Sequence, residues 1–169
     1  MAIPDDPVTP VSHASFPVDD PVQALLRDHN LVRKLADSYL NTADQAVRQQ
    51  AATQLLQAIH MHSRLEESVF YPGVRGVDPN LIAHFEDEHL QVDELVAELQ
   101  GMNAAQRDEA RVRRMIDAVL EHIEEEETEL FPKLRNAAID LSTIGLQMQA
   151  LEANLVHMQA QISDQGARR

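Results

Sequence analysis

Four histidines and two glutamates recur in this chain at a fixed offset. "HSRLEESVFYP" begins at His62 and "HIEEEETELFP" begins at His122, sixty residues later. Both read His-x-x-x-Glu-Glu, then three residues, an aromatic and a proline. "DHNLVRKL" from Asp28 and "EHLQVDEL" from Glu88 repeat at the same offset, so His29 matches His89. Glu66 and Glu126 each follow their histidine by four residues, and positions i and i+4 share one face of a helix. His29, His62, Glu66, His89, His122 and Glu126 therefore fall on the apolar stripes of helices. One histidine in such a stripe reads as a core residue; four at matched depth do not. Buried without partners, these imidazoles and carboxylates would cost several kcal/mol. Two divalent or trivalent cations, held by imidazole nitrogen and bridged by the carboxylates, would supply the partners.

The residues around these six read differently. Glu67 and Glu127 stand five positions after His62 and His122, about 140° round a helix, facing water or a neighbouring helix edge. Glu124, Glu125 and Glu127 read as a solvated charge run. His60 is two residues from His62 and faces elsewhere, while His13 and His157 lie outside the repeat. Tyr71 and Phe131 occupy matched places and read as caps on the core. Tyr39 lies on an inner stripe, as a packing residue or as a redox neighbour of the site.

Helices must carry these groups. Ala, Leu, Gln, Glu and Arg dominate the chain, a composition that favours helix. Asp20-Pro21-Val22-Gln23 reads as a helix start, with Thr42 and Gln45 as the capping box of a second helix. Pro72 and Gly73 end that second helix, Asp78-Pro79 opens a third, Gly101 closes it, and a fourth starts near Ala104. Long helices joined by short connections predict an all-α, up-down-up-down four-helix bundle built from a duplicated helix pair. Residues 1–19, with four of the eight prolines, read as an extended or mobile arm; residues 20–136 form the bundle; residues 137–169 form an extra C-terminal helix and tail. In that tail Leu141, Ile144, Met148, Leu151, Leu155, Met158 and Ile162 trace a heptad seam. The seam either folds back on the bundle or joins two chains, and a closed four-helix core favours a homodimer.

Composition narrows the partners. A formal net charge of −14 without clustered Lys or Arg argues against nucleic acid and against anionic membranes. The chain has no cysteine, which removes thiolate metal sites and disulfides. No signal peptide or membrane span is evident, which places the protein in the cytoplasm.

Together, "RDHNLVRKL", "HSRLEESVFYP", "EHLQVDEL" and "HIEEEETELFP" resemble the hemerythrin-like proteins, the HHE cation-binding domains, over roughly residues 20–135. The resemblance implies two iron ions in an oxo- or hydroxo-bridged non-haem centre. It implies a redox or oxygen-responsive role toward O2, peroxide or nitric oxide, and His29, His62, Glu66, His89, His122 and Glu126 match the family's ligand positions. A peroxidase- or catalase-like enzyme, or an iron store or donor, are the alternative expectations, with a metal-free interaction bundle as the remaining one.

One position departs from the pattern. Oxygen-carrying members have His-x-x-x-His on the third helix, and this chain has Phe85 four residues before His89. Glu86, three before His89, is within reach, and Glu-x-x-His is a ligand pair of other di-iron bundles. His84, five before, is the less well placed substitute. Glu86 is therefore expected as the seventh ligand. A hard anionic donor there favours Fe(III), so the centre should stay oxidised in air rather than carry oxygen reversibly.

Overall fold

The computed structural model describes residues 20–167, and the arm read over residues 1–19 lies outside them. Among the described residues all regular structure is helical. Helix α1 (Pro21–Leu40) starts as its sequence dictates: the Asp20 carboxylate accepts from the Gln23 amide, and Pro21 lacks the N–H that the first turn would leave unpaired. Helix α2 (Gln45–Leu65) is capped by Asp44, which accepts from the amides of Ala46 and Val47. Thr42, expected in that role, instead accepts from the Asp44 amide and shapes the turn before the helix.

Pro72 and Gly73 do not stop α2. The backbone widens into a π-turn over Glu66–Phe70 and runs on as α3 (Tyr71–Val74). In an uninterrupted α-helix Pro72 could not donate to the Ser68 carbonyl, and its ring would press on that carbonyl. The wider turn, closed by the Tyr71 amide donating to the Glu66 carbonyl, relieves both faults.

Helix α4 (Pro79–Gln100) is capped by Asp78 and ends at Gly101. Helix α5 (Glu109–Glu125) starts later than Ala104, at the cap Asp108, because Ala104–Gln106 forms a 3-10 turn. A second π-turn, Glu126–Leu130, precedes α6 (Phe131–Arg135), with Pro132 in the same place as Pro72. Helix α7 (Leu141–Ala167) completes the described chain.

Helix α1 packs on α2, α4 on α5, and α2 on α4. Two apolar clusters result. One holds Val32, Leu55, Ile59, Val92, Val96, Leu99, Met115 and Val119. The other holds Val22, Leu25, Leu65, Phe70, Phe85, Leu130 and Phe131. On α1, α2, α4 and α5 and the π-turns that follow two of them, the cation-binding candidates lie between the two clusters, as a polar layer walled off on both sides.

Helix α7 divides the expected seam. Ile144 and Met148 are buried in the second cluster against α1 and α2. Gly73 makes this docking possible, since a Cβ there would stand 2.8 Å from Cδ1 and 2.9 Å from Cγ1 of Ile144. The first half of α7 thus gives Ile144 and Met148 to the core, while Leu146 stays exposed. Beyond it, Val156, Met158 and Ile162 are more than half exposed. No helix among the described residues is long and apolar enough to cross a membrane.

Candidate metal centre

The six residues singled out by spacing converge in the polar layer. His29, Glu66 and Glu126 are fully buried, and His62, His89 and His122 nearly so. Oε1 of Glu66 lies 2.9 Å from Nε2 of His62 and 3.9 Å from Nε2 of His29. Its Oε2 lies 2.9 Å from Nε2 of His89 and 3.9 Å from Nε2 of His122. One carboxylate therefore spans two histidine pairs. Glu126 does the same from the other side, with Oε2 3.8 Å from His29 and 3.2 Å from His122.

Each imidazole presents Nε2 inward because a carboxylate holds its other nitrogen. Nδ1 of His29 donates to Glu127 at 2.8 Å, and Nδ1 of His89 donates to Glu67 at 3.0 Å. Nδ1 of His62 donates to Asp28 at 3.2 Å, and Nδ1 of His122 donates to Glu88 at 2.7 Å. A carboxylate can only accept, so these contacts put the proton on Nδ1 and leave the Nε2 lone pair facing inward. This is the outer carboxylate arrangement that orients metal-binding histidines. It repeats at the sixty-residue offset: Asp28 with Glu88, and Glu67 with Glu127. Arg33 grips Glu127 with two hydrogen bonds of 2.9 Å.

The inner atoms do not satisfy one another. Nε2 of His29 and His62 are 3.2 Å apart, and those of His89 and His122 are 3.0 Å apart. Oε1 of Glu66 and both oxygens of Glu126 are buried without a hydrogen bond; the short approach of His62 to Glu66 is close in distance but not aligned as one. Without a cation, protons must fill the gap. Burial opposes a charge on His62, but the Glu66 and Asp28 carboxylates outweigh it and push the imidazole up to about 10. Burial likewise opposes a charge on His89, and its bonds to Glu66 and Glu67 raise it to about 9. Burial, then the Glu66 charge, raise Glu126 above the usual carboxylate range. Lone pairs and carboxylates aimed at common points fit two cations. His29, His62, Glu66 and Glu126 surround one point, and Glu66, His89 and His122 another.

Glu86 is not among them. Its carboxylate is ion-paired with Arg75. His84, the other candidate, is exposed and pairs with Glu125 at 3.0 Å and Glu88 at 3.2 Å. Tyr39 lies in the first apolar cluster beside Arg48, removed from the polar layer. Phe131 does cap the site, its ring stacked on His29 at 5.8 Å. Its counterpart Tyr71 does more than cap: the hydroxyl donates to Oε2 of Glu66 at 3.2 Å and lies 3.1 Å from Nε2 of His89 and 3.3 Å from Nε2 of His122.

The helical register set Glu67 and Glu127 toward water or a neighbouring helix edge, and each meets a histidine of another helix; Glu127 was also read as solvated, and Asp28 and Glu88 were passed over. A signal was present: an acid precedes His29 and His89, and a second acid follows Glu66 and Glu126, in both copies of the repeat.

The fold and its polar layer define a class: a helical bundle that encloses a histidine–carboxylate cluster suited to cations. The model of the hemerythrin HHE cation-binding domain matches residues 20–134, and the chain belongs to that family. A curated relative from Nostoc sp., named "DNA nickase", is 29% identical over 129 residues, which is 75% of this chain and 37% of the relative. This chain thus spans little more than a third of that protein. Comparison with solved structures gave no match.

Proposed function

We propose that the chain is a non-haem di-iron protein whose buried centre responds to a small oxidant: O2, peroxide or nitric oxide. The observation that carries this is Glu66, whose two oxygens stand 2.9 Å from histidines of opposite pairs. His29 and His62 would hold one ion, His89 and His122 the other, with Glu66 and Glu126 shared between them. Iron in such a place supplies one-electron redox chemistry to a ligand small enough to reach it. The protein's own part is to fix the Nε2 lone pairs, through Asp28, Glu67, Glu88 and Glu127, and to keep bulk water out. Residues 20–136 act as one unit in this reading, with the up-down-up-down topology supported by contacts at both ends of the first pair: Asp28 with His62, and Tyr39 with Arg48. The exposed Val156, Met158 and Ile162 support pairing of two chains through the end of α7.

The name of the Nostoc relative raises a DNA-cleaving reading. Two features oppose it: the net charge of −14 repels a phosphate backbone, and the ligating residues are buried where a phosphodiester cannot reach them.

The test is to load the protein with iron, reduce it without air, and record its visible spectrum after oxygen and, separately, after hydrogen peroxide. A spectral response to either oxidant is expected. Continued consumption of peroxide would favour the enzyme reading, and transfer of iron to an acceptor the donor reading. An iron-loaded centre indifferent to both oxidants contradicts the proposal.

A further inference from the structure

The two cation positions are not equivalent. The repeat puts Tyr71 where its second copy puts Phe131. Phe131 offers His29 only a ring face. Tyr71 offers an oxygen, and that oxygen is directed at the other position, within 3.3 Å of Glu66, His89 and His122.

That hydroxyl has one proton, and Glu66, His89 and His122 all lie within its reach. The Glu66 carboxylate can only accept, and in the neutral imidazoles that a cation would require, Glu67 and Glu88 hold the proton on Nδ1, so neither His89 nor His122 could donate back. The tyrosine side chain is fully buried, away from bulk water. By distance, His29, His62, Glu66 and Glu126 surround the first point, and Glu66, His89 and His122 the second, which Glu126 reaches only from the His122 side at 3.2 Å. Phe85, where a further histidine would stand, packs flat against Tyr71 with ring centres 6.3 Å apart and edge-on to His122 at 5.3 Å. Glu86 is held away by Arg75.

We propose that Tyr71, not Glu86, completes the second position by binding its ion as a phenolate; this rests on the di-iron reading above. The O–H bond breaks as the oxygen–metal bond forms, and the proton leaves to solvent with no change of oxidation state. A phenolate is a hard anionic donor, so it favours Fe(III) at this position and leaves the first, with its histidine pair and carboxylates, unchanged.

The π-turn explains how Tyr71 gets there. In an α-helix it would lie about 140° from Glu66, five residues away. With the Tyr71 amide bonded to the Glu66 carbonyl, residue i+5 sits nearly above residue i, and both side chains enter the same layer.

The experiment loads the full chain with ferrous ion in air, removes unbound metal, and records the visible and resonance Raman spectra and the iron content. A phenolate-to-iron charge-transfer band with enhanced tyrosine ring modes is expected. Both should vanish in Tyr71→Phe, whose ring is the one the matched position already accommodates, while the helical circular dichroism and the iron of the first position remain. Tyr39→Phe and Glu86→Gln should keep the band. Iron bound without tyrosine modes, or modes that survive Tyr71→Phe, overturns this assignment but spares the di-iron reading. Failure of the folded wild-type chain to bind iron overturns both.

Discussion

Glu127 illustrates how a side chain can govern a centre that it does not face. It accepts from Nδ1 of His29 and is itself gripped by Arg33, so it fixes both the tautomer and the ring orientation of that histidine. Losing such a partner typically costs about 10–100-fold in metal affinity. Glu127→Ala should therefore weaken iron binding by about that factor in competition with a chelator, whereas Glu124→Ala, at an exposed position, should leave it unchanged. Equal affinities for the two variants would show that the outer carboxylates do not tune the site. The six inner residues were legible in the sequence because the i, i+4 spacing and the sixty-residue repeat both point to one face. Glu127 was not, because a helical wheel places a residue relative to its own axis and says nothing of a histidine on the neighbouring helix. The placement of Glu86 turns on a neighbour of the same kind. Its spacing from His89 was suitable, but Arg75, just beyond α3, claims it.

At the scale of elements, helix starts at Asp20 and Asp78 followed from capping chemistry, and both caps are made. The π-turns did not follow, since a proline after an apolar run reads equally well as a stop. Each places a buried glutamate of the polar layer at the first residue of a widened turn. Helix α7 was legible as a seam but not as to its partner, because a heptad pattern records an apolar stripe and not what covers it. Burial of Ile144 and Met148 supplies the answer for the first half. Fully burying such a side chain is worth about 1.5–3 kcal/mol, so deleting residues 141–169 should remove about 3–6 kcal/mol and lower the melting temperature sharply. Deleting only residues 156–169, which takes away exposed Val156, Met158 and Ile162, should leave melting nearly unchanged. Thermal unfolding followed by circular dichroism compares the two, and light scattering on the same proteins reports whether the exposed end pairs chains. An unchanged melting temperature in the longer deletion would mean that α7 contributes nothing to the bundle.

At the scale of the whole molecule, two copies of a helix pair bring their polar faces together and close apolar clusters on either side. The duplication explains why the outer carboxylates match pair by pair, and the exchange of Tyr71 for Phe131 is the difference on which the proposed inequality of the two positions rests. A metal-free bundle would have to keep two buried carboxylates and four imidazoles content with shared protons; a metal-bound one has each lone pair on a cation. The most direct measurement is therefore the iron content of the loaded, desalted protein. About two ions per chain are expected for the wild type, with a sharp fall in both His62→Ala and Glu126→Ala while the far-ultraviolet circular dichroism stays helical. A folded wild-type chain that binds no iron, or variants that retain the full complement, would contradict a shared centre built from these residues.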